Sequence, residues 1–200
     1  MITLDQLRQD ALKCTKCKLC ETRTKVVFGE GNLQAKLMIC GESPGKSENE
    51  SGRPFVGRSG RLLISMIEAA GLKREDVYIL NTVCCQPPNN RVPTDLELET
   101  CRDYLVGQIS EIRPNCILAL GATAIKALTG SNASVSTMRG NIFLFLDSKI
   151  QVVPTYHPSY LLRNPSMKQG SPRYLAWKDL NKAIKIASGL INKVSFDVHV

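Results

Sequence analysis

Two hundred residues, 43% of them hydrophobic, can bury a full core, and the length suits one domain better than two. A net charge of +8 and a pI near 9.1 favour a polyanionic partner, nucleic acid first, because each neutralised phosphate releases counterions. The longest apolar runs, such as Ile142 to Leu146, are too short to span a bilayer and the amino terminus lacks a signal-peptide pattern, so a soluble, cytoplasmic chain is expected.

Leu4 to Leu12 has the pattern of a short amphipathic helix, and a Cys-rich turn from Cys14 to Cys20 follows it. Lys36 to Cys40 is short and apolar, which predicts a strand covered on both faces. The loop from Gly41 to Gly60 leaves that strand's carboxyl end, where open α/β sheets bind ligands, and it carries Glu42, Glu48 and Phe55. Its glycines permit close backbone approach to a ligand, while Pro44 and Pro54 stiffen the path. Leu62, Leu63, Met66, Ile67 and Ala70 recur at helical spacing over Arg61 to Ala70, with Gly71 as the stop. Val77 to Leu80 is the next predicted strand. Pro93 and Thr94 start a helix running to about Ile112, with Thr94 as the cap and Glu97 completing a capping box.

Asn115 to Leu120 predicts a third buried strand, and Ala122 to Leu128 a short helix before the Gly130-Ser131-Asn132 turn. Ile142 to Leu146 and Ile150 to Val153 read as a hairpin around Asp147-Ser148, and a last helix runs from about Pro172 to Ser188. Strands alternating with helical segments predict a three-layer α/β/α fold with a mainly parallel central sheet, the hairpin adding an antiparallel pair. One domain is expected over 1–190, with 191–200 as a carboxyl-terminal tail.

Eight cysteines without a secretion signal argue for metal ligation or buried apolar roles over disulfides. Cys14-Thr15-Lys16-Cys17 is a C-x2-C bite, and Cys85 and Cys101 could supply a second pair from a Pro-rich loop and a helix. Four thiolates suit zinc or an iron-sulfur cluster, and spacing does not separate the two. Cys40 and Cys116 sit in apolar strand runs and read as small core residues.

The order of motifs is more specific than any one of them. Gly41-Glu42-Ser43-Pro44-Gly45 followed by Gly52-Arg53-Pro54-Phe55-Val56-Gly57-Arg58-Ser59-Gly60 resembles the first motif of the family 4 uracil-DNA glycosylases. Asn81 to Arg91, the Leu120-Gly121-Ala122 strand end and Tyr156-His157-Pro158-Ser159 to Arg163 agree with that family, so the resemblance runs from about residue 3 to 185. It implies a 4Fe-4S cluster held by Cys14, Cys17, Cys85 and Cys101, with Cys85 preferred to Cys84 because it directly precedes Gln86-Pro87-Pro88. Cys20 is the main competitor near the amino terminus.

The resemblance also implies a monofunctional hydrolase that flips uracil out of DNA, cleaves its N-glycosidic bond and leaves an abasic site. Glu42 matches the acid taken to address the attacking water, and His157 the histidine that hydrogen-bonds uracil O2 as negative charge develops. Phe55 matches the stacking ring, and the Asn81 amide can pair with the O4 and N3–H edge of uracil, a pattern that cytosine reverses. Gly41, Ser43 and Glu48 fall on the substrate side of the same loop. Asn49 stands where relatives often carry an Asp, which removes a third carboxylate from the motif.

Arg91, Ser159, Leu161, Leu162 and Arg163 resemble the DNA-contacting residues, a leucine entering the vacated stack and Arg163 lying near phosphate. Some relatives trap the sugar on a histidine in an inserted Arg-rich segment. Arg53 to Gly60 holds no histidine, so turnover without a stable adduct is expected. The other histidine is His199, near the carboxyl terminus. The expected partner is uracil-containing DNA, single- or double-stranded, with no membrane, and the expected state is a monomer. A catalytically silent iron-sulfur module of the same fold and an iron-sulfur electron carrier are the competing readings; neither needs Glu42, Phe55, Asn81 and His157 together.

Overall fold

A computed structural model of the chain describes residues 3–146 and 148–191. Asp147 of the expected hairpin turn, His199 and the tail from 192 lie outside the described residues. The elements in chain order are α1 (Leu4–Leu12), α2 (Leu19–Thr22), β1 (Glu30–Gly31), β2 (Leu37–Gly41), α3 (Lys46–Ser51), α4 (Arg58–Ala69), β3 (Tyr78–Asn81), α5 (Asp95–Ile112), β4 (Cys116–Leu120), α6 (Ala122–Thr129), α7 (Val135–Met138), β5 (Phe143–Leu144), β6 (Gln151–Thr155), α8 (Pro158–Arg163) and α9 (Pro172–Ala187).

Among the described residues six strands form one sheet in the order β1-β3-β2-β4-β6-β5. The central four are parallel, and β1 and β5 close the two edges antiparallel. The expected α/β/α layering follows from alternation along the strands. Ile39, Ile79, Leu118 and Val153 face α4 and α9, whereas Met38, Tyr78, Leu80 and Ile117 face α5 and α6. Burial of each large aliphatic side chain contributes about 1.5–3 kcal/mol, so the sheet interior is the main source of stability. A third, smaller cluster packs α1 and Leu19 against Phe28, Val83 and Tyr104, and takes in Cys14, Cys17, Cys84, Cys85 and Cys101. Among the described residues no helix is long and apolar enough to cross a membrane.

Several features depart from the sequence reading. The segment from Gly41 to Gly60 is not all loop: α3 lies inside it, and α4 begins three residues earlier than expected. Edge strand β1 and the one-turn helix α7 were not foreseen; Ser134 caps α7 by accepting the Thr137 N–H at 3.2 Å. The residues after His157 form α8, with Pro158 at its first position. Helix α2, at the end of the expected Cys-rich turn, was not foreseen either; the other helices and strands fall within a few residues of expectation, and the α5 capping box is present, Glu97 accepting the Thr94 N–H at 2.8 Å.

Candidate active site

The carboxyl ends of the parallel strands open onto a cavity of about 300 Å³ lined by Glu42, Ser43, Glu48, Phe55, Asn81 and His157, with Asn90 and Ser159 at its margin. The strands put it there. Gly41 and Asn81 are register partners at the ends of β2 and β3, and His157 follows the end of β6 by two residues. A larger cavity of about 610 Å³ lies between Arg113, Lys149 and Gln151, at the amino ends of β4 and β6, where such sheets do not place their ligand sites.

Asn81 is 3% exposed, and its side-chain oxygen has no hydrogen-bond partner among the described residues. A buried, unpaired acceptor costs about 1–3 kcal/mol, so this one points to a donor that arrives with a ligand. Beside it lies the Phe55 ring, buried and 6.1 Å from the His157 ring centroid. Phe55 has φ of +51°, a strained value for an aromatic residue, and its backbone is held in that state by Arg74. The Arg74 guanidinium donates to the Phe55 carbonyl at 3.1 Å and to the Pro54 carbonyl, while it pairs with Glu30 at 2.7 Å.

Glu48 is buried, and its carboxylate accepts three backbone N–H groups, from Gly45 at 3.1 Å, Val56 at 2.9 Å and Gly57 at 2.7 Å. It thereby ties the start of α3 to the start of α4 and fixes the bend that carries Phe55. Asn49 is turned to the other side, where its oxygen accepts the Thr24 N–H at 2.8 Å and its amide donates to the Thr24 hydroxyl at 3.2 Å. Glu42 is half-buried at the cavity wall. Its carboxylate accepts a hydrogen bond from the Thr123 hydroxyl, and its backbone carbonyl one from Thr82 Oγ1 at 2.5 Å.

His157 caps α8, its Nδ1 accepting the Ser159 N–H at 3.2 Å, with the Ser159 hydroxyl 2.8 Å from the same nitrogen. A backbone N–H can only donate, so the neutral ring carries its proton on Nε2. Burial pushes the imidazole down to about 4, Arg163 adds to that fall, and Glu48 opposes it. The ring is therefore a neutral donor at physiological pH.

The residues expected at DNA divide. Leu161 is 1% exposed and belongs to the main core with Leu63, Ile67 and Leu180, so its side chain is not available to DNA. Consecutive helical residues point about 100° apart, which leaves Leu162 half-buried and Arg163 exposed on α8. Ser159 faces the cavity and orients His157. Arg91 spends two guanidinium nitrogens on Glu97, at 2.8 and 2.6 Å, and that pair holds the Glu97 carboxyl down to about 2.

Six cysteines, Cys14, Cys17, Cys20, Cys84, Cys85 and Cys101, surround one enclosed, apolar void of about 10 Å³ beneath α1 and α5. Among the described residues their thiols are not drawn together into a ligating group. The donor chemistry nevertheless suits a soft metal, and the surroundings suit an anionic cluster, since Arg23 donates to Cys85 Sγ at 3.3 Å and the Cys101 thiol is held below its usual range by the Cys84 thiol first, with Lys16 and Arg23 adding to that fall. Cys40 and Cys116 lie in β2 and β4, fully buried in the sheet.

Of the residues in and around the cavity, Thr123 and the orienting part played by Ser159 were not read from the sequence. Ser159 could have been found from its spacing to His157. Thr123 lies 81 residues from Glu42 and gives no local signal.

The family model of the uracil DNA glycosylase superfamily matches residues 28–181. A type-4 uracil-DNA glycosylase of Thermotoga maritima is 48% identical over 172 residues, covering 86% of this chain and 88% of its own. One from Saccharolobus solfataricus is 43% identical over 176 residues, covering 84% and 82%. A type-5 uracil-DNA glycosylase of Pyrobaculum aerophilum is 30% identical over 146 residues, covering 66% and 64%.

Proposed function

The chain belongs to the uracil DNA glycosylase superfamily and is a uracil-DNA glycosylase, a DNA-repair hydrolase of N-glycosyl bonds; from that premise we propose how its cavity takes the base and breaks the bond. The observation that carries the reading is the buried carbonyl of Asn81, without a partner among the described residues, in the cavity it shares with Phe55 and His157. Uracil N3–H supplies the missing donor, and the Asn81 amide donates in turn to O4. Cytosine offers an acceptor at N3 and a donor at position 4, which leaves both halves of a buried amide unpaired and is rejected on that ground. Stacking on Phe55 offsets part of the few kcal/mol spent in unstacking the base.

Cleavage leaves negative charge on the departing uracil and oxocarbenium character on the sugar. His157 donates from Nε2 to uracil O2 and strengthens that bond as charge develops, without having to lose a proton. Glu42 orients the attacking water and its carboxylate stabilises the cationic sugar. Glu48 acts through the backbone it clamps, holding Phe55 and the Gly41 to Gly60 segment in place. Leu162 takes the wedge role expected of the leucine pair, with Arg163 at phosphate, and the abasic product is released without a covalent adduct. Cys14, Cys17, Cys85 and Cys101 would hold a 4Fe-4S cluster, and such a cluster would cross-link the amino-terminal segment to α5.

An oligonucleotide carrying one uracil, treated with protein and then with alkali to cut abasic sites, tests this reading. Cleavage by the wild type and strong loss in Glu42→Ala and His157→Ala, with thermal melts unchanged, are expected. An inert wild type with an intact cluster would overturn the activity, and unchanged rates in both variants the residue roles.

A further inference from the structure

We propose that Thr123 is a positioning residue for the hydrolysis, its hydroxyl holding the Glu42 carboxylate so that one oxygen is left to face the attacking water. The inference rests on the reading of Glu42 given above and assigns a part to the strand end Leu120-Gly121-Ala122, which otherwise has none.

Thr123 donates to Glu42 Oε2, the one side-chain hydrogen bond that this carboxylate accepts among the described residues. Glu42 also makes no ion pair among them. A glutamate has three side-chain torsions, and fixing them costs up to about 2 kcal/mol of rotamer entropy, so an acid that must aim a water needs a second anchor besides its backbone. The backbone anchor is Thr82, whose hydroxyl donates to the Glu42 carbonyl at 2.5 Å. The side-chain anchor is Thr123, itself 8% exposed and held in the first turn of α6.

The chain is built to bring that turn close. Gly121 has φ of +86°, and a Cβ placed there would stand 3.1 Å from Cβ of His157. A glycine is what lets α6 start against the histidine and still reach across to Glu42. The water-side acid and the base-side histidine are thus spaced by one segment, residues 121–123. A hydroxyl suits the task better than a cation at the same place, because it fixes the carboxylate without neutralising the charge that the sugar needs.

Thr123→Val keeps the volume and branching and removes only the hydroxyl; Thr123→Ser restores it. Single-turnover release of uracil by the holoprotein is expected to fall roughly 10- to 100-fold in Thr123→Val and to recover in Thr123→Ser. Affinity for an oligonucleotide carrying 2′-fluoro-deoxyuridine, which resists cleavage, should stay within about a factor of two in both, because the base-binding groups are untouched. Combined with Glu42→Ala, Thr123→Val should add no further loss, since it acts through that carboxylate. Wild-type rates in Thr123→Val, failure of Thr123→Ser to recover, or a multiplicative loss in the double variant would each overturn the role. A wild type that releases no uracil would instead overturn the reading of Glu42 on which the role stands.

Discussion

A Cβ added at Gly41 would stand 2.5 Å from both Asn81 Oδ1 and Phe55 Cζ, two buried side chains that could yield only by shifting into the cavity they line. The strand end therefore suits a residue without a side chain, which lets an amide and an aromatic ring approach it together. Gly41→Ala is expected to cost about 1–3 kcal/mol as an overpacked core does. Because the clash falls on the pair proposed to bind the base, uracil release should fall by about 10² or more while the protein stays folded, as read by parallel melts and cleavage assays. His157 makes a second prediction at this scale. In the unfolded chain its imidazole titrates near 6.5, and in the fold near 4. Between those values the unfolded state binds a proton that the folded state refuses, so stability declines as pH falls from 6.5 toward 4 and is unaffected above. Urea midpoints measured across that window should drop, and His157→Gln should flatten the drop. The Glu97 carboxyl, down from 4.5 to about 2 beside Arg91, starts to lose its contribution below about pH 5, so the share of His157 is read in the upper part of the window, from 6.5 to about 5. Uracil release should hold through pH 6.5, because the neutral Nε2–H persists there.

At the scale of elements, α8 separates two neighbouring leucines that the sequence presents as equals. Leu161 is packed among Leu63, Ile67 and Leu180, and Leu161→Ala should cost about 2–5 kcal/mol with a cavity left in the main core. Leu162→Ala should leave the melt nearly unchanged and slow release from duplex more than from single strands, since a wedge is needed only where a stack must be refilled. Loss of stability in the second variant and not the first would reverse the assignment. The same helix shows what the sequence could and could not tell. Long apolar strands and α5, with its Thr94 and Glu97 cap, announce themselves locally, and so do Glu42, Phe55, Asn81 and His157 once their order is read together. The short helices α3 and α8 do not, because they are held by cavity residues: Glu48 gathers the N–H groups around α3, and His157 caps α8. Edge strand β1 is too short to show alternation. Contacts such as Thr123 to Glu42 exist only after β2 and β4 pair, and no window of sequence contains both partners.

For the whole molecule the question is what fastens the amino-terminal segment to the sheet. α1 buries only Leu7 and Ala11, which is little area for a helix of nine residues, and the small cluster beneath it is lined with thiols. A four-cysteine cluster there would close a loop of roughly 70 residues between Cys17 and Cys85, adding a cross-link whose entropic value grows slowly with loop length. Its loss should therefore act locally before it acts globally. Cys14→Ser, Cys17→Ser, Cys85→Ser and Cys101→Ser are each expected to abolish the visible absorption of the cluster, whereas Cys20→Ser and Cys84→Ser should retain it. In the four cluster-free variants hydrogen exchange should quicken across α1 and the first turns of α5, while amides of β2 and β4, deep in the main core, stay protected. Uracil release should fall less than stability, because Glu42, Asn81 and His157 are carried by the sheet and not by the segment the cluster holds. If Cys20→Ser bleached the cluster and Cys14→Ser kept it, Cys20 would replace Cys14 in the ligand set. If exchange rose uniformly through β2 and β4 instead, the cluster would be part of the global core and not a clasp on its edge.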